Sequence, residues 1–202
     1  MEVNQKPTLR NEQAELTRRR ITGAARALFA ARGYGATTLQ AVAAEAGVAV
    51  QTVYAIYLSK AGLLRALRLA VMVQPDAEAL YREALEADPP ELKLELFARS
   101  IRRRWEAGAQ VVRFHVEAAS VDPEIRAEVE EVLARRRGGI AALVASLADS
   151  LVPALDIARA SAIVDALTLP EVYVELTDVG GWTADAYEDW LSLSLRRELL
   201  RA

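Results

Sequence analysis

Apolar positions along the chain recur at intervals of three and four residues, the spacing that lines one face of an α-helix, while alternating strand-like runs are short. Ala, Leu, Arg and Glu dominate these intervals, so the pattern predicts an all-α protein. Residues 1–15 are polar, carry Pro7 and show no periodicity, which predicts a mobile arm. From Thr17, the apolar residues Ile21, Ala24, Ala25, Leu28 and Phe29 share one face. Gly33 ends that segment, because glycine accepts the left-handed geometry that closes helices. Thr38 then caps a short helix with Leu39, Val42, Ala43 and Ala46 inward, and Gly47 stops it. A third helix is expected within 49–57, followed by a break at Leu58-Ser59. The next helix starts near Lys60 and carries Leu63, Leu64, Leu67 and Val71, with Pro75 as its end or a kink.

Asp88-Pro89-Pro90 marks the clearest turn, and Leu94, Phe97, Ile101 and Trp105 form the stripe that follows. Asp122-Pro123 opens another helix whose stripe runs through Ile125, Val129, Val132, Ile140, Val144 and Leu147. Gly138-Gly139 in its middle costs roughly 1 kcal/mol of helix propensity per glycine, which predicts a bend or break there. Residues 157–178 read as one helix kinked at Pro170, and Gly180-Gly181 separates it from a last helix, Thr183 to Leu200. No internal repeat is evident. The expected organisation is an arm and three-helix N-terminal domain over 1–60, then a larger helical domain over 61–202.

Within the first domain, the segment from Thr38 to Tyr57 is a short helix, a glycine turn and a second short helix. That arrangement presents the second helix to a DNA major groove. Small Ala43 and Ala46 permit close helix contact, and Val48 and Val53 pack beneath the second helix, leaving its other side outward. A three-helix packing unit without DNA would share these features, so the pattern leaves both readings open. Charge changes the balance. Residues 1–70 hold 10 Lys/Arg and 4 Asp/Glu, a net +6, whereas residues 71–202 hold 15 and 24, a net −9. A basic end on an acidic protein suits a polyanionic partner at that end alone.

The residues from Ala30 to Lys60 resemble, in order, the DNA-binding segment of the TetR family. Ala30-Ala31-Arg32-Gly33-Tyr34-Gly35-Ala36-Thr37-Thr38-Leu39 is similar to the family's end of helix one and Thr-Thr start of helix two. Ala41-Val42-Ala43-Ala44-Glu45-Ala46-Gly47-Val48 resembles its I-A-x-x-A-G-V stretch, and Thr52-Val53-Tyr54-Ala55-Ile56-Tyr57-Leu58-Ser59-Lys60 its Thr-hydrophobic-Tyr signature. Gly181-Trp182-Thr183, with Tyr187 and Trp190-Leu191, is similar to the last helix of many members. The resemblance implies a homodimeric, cytoplasmic transcriptional regulator, a repressor by family default, that binds a pseudo-palindromic double-stranded operator and answers to an apolar small molecule. Thr38, Tyr54 and Lys60 would hold phosphates, which sets register without reading sequence. Gln51 would pair with adenine, and Val50, Thr52 or Ala55 would touch thymine methyls. Tyr54 as a packing tyrosine and Lys60 as a solvated helix start are the competing readings. Ala55 and Ile56 depart from the family pattern and thin the base-reading inventory. Arg18, Arg19 and Arg20, with Lys6 and Arg10, would add phosphate contacts.

The rest of the chemistry is exclusion and surplus. No cysteine is present, which suits a reducing cytoplasm and removes disulfides and thiolate chemistry. One histidine excludes a histidine-based metal cluster, and no serine, glycine-rich or paired-metal motif supports an enzyme, so neither cofactor nor metal is expected. The charged start lacks a signal-peptide core, and no apolar run reaches the roughly 18–20 residues of a membrane span. Trp105, His115, Val144 and Tyr173 are the expected lining of an effector cavity, with tight core packing as the competing explanation. Tyr187, Trp190, Leu191, Leu195 and Leu199 form a broad apolar surface expected to join two subunits in a four-helix arrangement. The alternative function is a helical ligand-binding or structural dimer that does not bind an operator.

Overall fold

Proline is restricted to the first turns of helices in much of this chain, where its missing N–H leaves no hydrogen bond unmade. In the computed structural model, which describes residues 9–72 and 74–201, Pro75, Pro90, Pro123 and Pro170 each open a helix. The elements are α1 (Leu9–Ala36), α2 (Leu39–Ala46), α3 (Val50–Tyr57), α4 (Lys60–Met72), α5 (Pro75–Glu86), α6 (Pro90–Ala119), α7 (Pro123–Ala145), α8 (Ile157–Leu167), α9 (Pro170–Val174) and α10 (Ala184–Leu199). The only strand-like pairing among the described residues is an isolated bridge between Leu151 and Leu200. The protein is all-α, and among the described residues no single helix is long and apolar enough to cross a membrane.

The chain divides into an N-terminal unit ending at Leu69 and a C-terminal unit from Ala70. In the first, Ile21, Ala24, Ala25, Leu28 and Phe29 of α1 are buried as their spacing predicts. The helix begins earlier than that stripe, at Leu9, and residues 9–15 are helical where an arm is expected. Extending a helix from a packed stem adds one hydrogen bond per residue and needs no nucleus, so periodicity is not required there. Glu12 in the first turn favours the same outcome through the helix dipole. At the other end Gly33 adopts φ 77°, ψ 164°, breaking the helix as expected.

In the C-terminal unit α6 is the central helix, packed by α5, α7, α9 and α10, and α7 is covered by α8. Its core joins Leu94, Phe97, Ile101 and Trp105 of α6 to Leu143 and Val144 of α7, Val164 of α8 and the inner face of α10. Two expected irregularities resolve differently. Helix α7 runs unbroken through Gly138-Gly139; the Tyr81 hydroxyl donates to the Gly139 carbonyl at 2.8 Å, and close packing outweighs the propensity cost. Pro170 does not kink one long helix. It starts a separate α9 after α8 has ended at Leu167, and the Trp105 indole N–H donates to the Thr168 carbonyl between them at 3.0 Å.

Candidate nucleic-acid interface

Helix α2 starts where Thr38, in extended conformation, accepts a hydrogen bond on its side-chain oxygen from the Ala41 N–H at 3.1 Å. It ends at Gly47, whose φ of 62° and ψ of 43° are the left-handed geometry that glycine tolerates. Arg20 of α1 donates to the Gly47 carbonyl at 3.2 Å, and a Cβ on Gly47 would lie 2.6 Å from that guanidinium. After the turn, α3 buries Val53 and Tyr57 and is rotated by 115° from α2. That angle lies within the roughly 90–120° of a helix-turn-helix.

The opposite side of α3 is open. Gln51, Tyr54 and Ala55 are exposed, Tyr54 at 43%, whereas Val50, Thr52 and Ile56 are half-buried. The exposure of Tyr54 rules out its reading as a buried packing residue. Thr38 is exposed beside them, and its O–H donor is not used by the bond its oxygen accepts from Ala41. Of the basic residues, Arg18 pairs with Glu15, Arg20 holds the turn, and Arg19 is exposed. Lys6 and the side chain of Arg10 lie outside the described residues.

Lys60 is engaged within the unit. Its ammonium donates to the carbonyls of Tyr34 at 2.7 Å, Gly35 at 3.2 Å and Thr37 at 2.9 Å, and stands 4.2 Å from the centroid of the Tyr34 ring. An ammonium has three N–H donors, and three carbonyls at the end of α1 receive them. A phosphate contact by Lys60 would come at the expense of one of these bonds. Thr37 strengthens the same junction, donating to the Gly33 carbonyl at 2.8 Å. A further requirement, Gly62, escapes sequence reading: a Cβ there would overlap the Tyr57 carbonyl oxygen. Leu58 at φ 64° and the Ser59 hydroxyl, which accepts from the Gly62 N–H at 3.0 Å, complete this tight corner between α3 and α4. An isolated glycine near a helix start was the only signal available.

In the C-terminal unit Trp105, Val144 and Tyr173 join one buried core, the outcome that tight core packing predicts for them. His115 is buried too, further along α6, with Nδ1 3.1 Å from the Val111 carbonyl. Ten residues of helix separate it from Trp105, roughly 15 Å. Between α7 and α8, the half-buried Arg136 pairs with Asp165 and donates to the Thr168 hydroxyl at 2.7 Å and the Asp165 carbonyl at 3.1 Å. Burial lowers the Arg136 pKa, opposed by Asp165. Tyr187 is fully buried, its ring packed edge-on to Tyr173 at 4.8 Å, and burial pushes its phenol far above the ordinary tyrosine range.

The expected subunit surface divides. Tyr187, Leu191, Leu195 and Leu199 are each 0% exposed within a single chain, turned into its own core against α6 and α8. Three ion pairs between α6 and α10 accompany that stripe: Arg99 with Glu188 at 2.8 Å, Arg102 with Asp185 at 2.7 Å and Glu95 with Arg196 at 2.9 Å. Trp190 alone of the five is partly exposed, edge-on to the exposed Trp182 at 6.3 Å, and Leu193 is 46% exposed. Apolar spacing identifies a buried face but not what buries it.

Residues 21–67 match the family described as bacterial regulatory proteins, tetR family, a span from the buried face of α1 into α4. The crystal structure of NalD, the secondary repressor of the MexAB-OprM multidrug efflux pump in Pseudomonas aeruginosa, is 25% identical, with 94% of this chain and 98% of that chain covered at a TM-score of 0.69. The ketosteroid transcriptional regulator KstR2 of Mycobacterium tuberculosis is 20% identical, with 92% and 95% covered at a TM-score of 0.73, and shares the fold. So does a transcriptional regulator from Saccharomonospora viridis solved with choline, 20% identical over 93% and 100% at a TM-score of 0.67. No curated protein sequence matches the chain significantly.

Proposed function

We propose that this chain, whose residues 21–67 match the tetR family of bacterial regulatory proteins, is a cytoplasmic repressor of that family that binds a pseudo-palindromic operator as a homodimer. An apolar small molecule taken up in the C-terminal unit controls that binding. The observation that carries the reading is the outward face of α3, with Gln51, Tyr54 and Ala55 exposed on a helix set at 115° to α2. Thr38 and Tyr54 anchor phosphates, and Gln51 reads a base with Val50 and Thr52 at the edge of the contact. NalD's description as a repressor supports the direction of control.

Two copies associate through the outer faces of α8 and α10, because the inner face of α10 is already covered. Ile157, Ala158, Ala162 and Ala166 are exposed on α8, and Leu193 with Trp182 and Trp190 supplies the larger apolar groups. Bound effector regulates by favouring one spacing of the paired α3 helices over another, since equal affinity for both shifts nothing. The fit to major-groove segments about 34 Å apart then changes, with α4 as the connecting element.

Selection of duplexes from a random pool, followed by binding at several salt concentrations, tests the reading. A two-fold-related preferred sequence and a steep loss of affinity with salt are the expected result; the absence of salt-sensitive duplex binding under any ligand condition would overturn it. One second reading has its own support, a ligand-binding dimer without operator recognition. It draws on apolar Ala55 and Ile56 on α3 and on Lys60 being engaged with carbonyls. The same selection separates the two.

A further inference from the structure

Among the described residues, one residue other than glycine has positive φ: Leu58, at φ 64° and ψ −42°, in the corner that closes α3. The Ser59 N–H donates to the Tyr57 carbonyl across it at 2.7 Å, which makes the corner a γ-turn of the rare, strained hand. Leucine resists this geometry because its Cβ crowds the neighbouring peptide groups, whereas glycine adopts it freely. The turn is held from both sides. The Leu58 N–H still closes α3 on the Tyr54 carbonyl at 2.9 Å, and α4 resumes at once with the Gly62 N–H on the Ser59 hydroxyl at 3.0 Å. The same Leu58 is 80% exposed, more than any other large apolar side chain among the described residues. A single exposed leucine is ordinary in itself. One displayed by a strained turn carries two costs that glycine would remove together, and such strain concentrates at binding sites.

Both costs fall at the end of the helix whose outward face carries Gln51, Tyr54 and Ala55. Leu58 follows these residues by seven, four and three positions, spacings that bring side chains to one side of a helix. We propose that Leu58 is a specificity residue, whose side chain covers the C5-methyl group of a thymine in the major groove of each operator half-site. This rests on the operator-binding reading and adds a contact beyond α3 itself. Thymine differs from the other bases in the major groove by that methyl, and an apolar side chain is what recognises it. Gln51 supplies an amide and Ala55 a single methyl of short reach, so the longer leucine at the corner extends the face in the chemistry it lacks. A phosphate offers a leucine no contact of its own kind. One leucine between the exposed Tyr54 and Ser59, on a segment of net charge +6 over residues 1–70, offers too little apolar area to hold a protein partner.

Uracil scanning of the selected operator tests the assignment. Each thymine of one half-site is replaced in turn by deoxyuridine, which removes the methyl and nothing else, and the affinity of the full chain is measured for the parent, Leu58→Gly and Leu58→Met. At one thymine the parent is expected to lose about fourfold, the worth of one buried methyl, while Leu58→Gly loses under about twofold there. Leu58→Met keeps the apolar reach and should keep the penalty. On the unmodified operator Leu58→Gly should bind about tenfold more weakly, with the slope of log affinity against log salt unchanged because no charge is removed. Its melting temperature should equal or exceed the parent's, since glycine accepts the positive φ. A folding defect would instead lower affinity for every duplex and leave the uracil penalty in place. Uracil penalties that all persist in Leu58→Gly, or Leu58→Gly binding the operator as tightly as the parent, would each overturn the proposal while operator binding stood. A parent protein without salt-sensitive duplex binding would overturn both.

Discussion

Polar side chains close backbone ends in both units, as Lys93 does at the Leu85 carbonyl and Asp122 at the start of α7, but the two units differ in what else their polar groups do. In the N-terminal unit, polar groups close backbone ends: Lys60 meets three carbonyls, Thr38 caps α2, Arg20 holds the Gly47 turn, and Ser59 receives the Gly62 N–H. In the C-terminal unit the buried Tyr187 phenol has no hydrogen-bond partner among the described residues, and the half-buried Arg136 is held by Asp165 and Thr168. The first arrangement defines where one helix stands relative to another, as a surface that must match a groove requires. The second leaves one buried donor, the Tyr187 hydroxyl, with its hydrogen bond unmade among the described residues. Satisfied polar groups fix geometry, and an unsatisfied buried one costs stability.

The largest expected effect tests the C-terminal core. Leu191→Ala should destabilise the protein by about 2–5 kcal/mol, read as a lower denaturation midpoint, because a fully buried leucine leaves a cavity. If the stripe on α10 joined subunits instead, the same change would alter oligomeric state in light scattering at little cost to the protomer. Next comes the corner between α3 and α4. Gly62→Ala should cost about 1–3 kcal/mol, since its methyl meets a backbone oxygen and no flexible side chain can give way. Duplex binding should fall with it, whereas a variant with parental melting temperature would show that the corner adapts.

Lys60→Ala sharpens the comparison further. Removal of a cap shared by three carbonyls should lower stability by about 1–2 kcal/mol, with the slope of log affinity against log salt unchanged. A slope smaller by about 1 with stability preserved would instead identify Lys60 as a phosphate contact. The smallest effect on folding belongs to Gln51→Ala, at an exposed position where stability should stay within about 0.5 kcal/mol. Its consequence should be a relaxed preference at one base in each half-site, measured by repeated selection.

Read from the sequence alone, the all-helical class, the helix-turn-helix with its Thr38 cap and Gly47 turn, and the outward residues of α3 are determined, because each depends on interactions within a few residues along the chain. The Pro75 and Pro170 boundaries were also visible, but not their meaning: proline marks a discontinuity, and only the surrounding chain shows that a new helix begins there. Tertiary structure decided the rest. Tyr187, Leu191, Leu195 and Leu199 read as a surface in sequence and are a core in space, because hydrophobic period records burial without naming the partner. Lys60 reads as an exposed cation and is a cap for the end of α1, with carbonyls 23, 25 and 26 residues away. The Arg136–Thr168 contact and the burial of Tyr187, whose phenol has no partner among the described residues, likewise depend on approaches between elements distant in sequence, and Gly62 on the exact path of the corner after Tyr57, which no local spacing encodes.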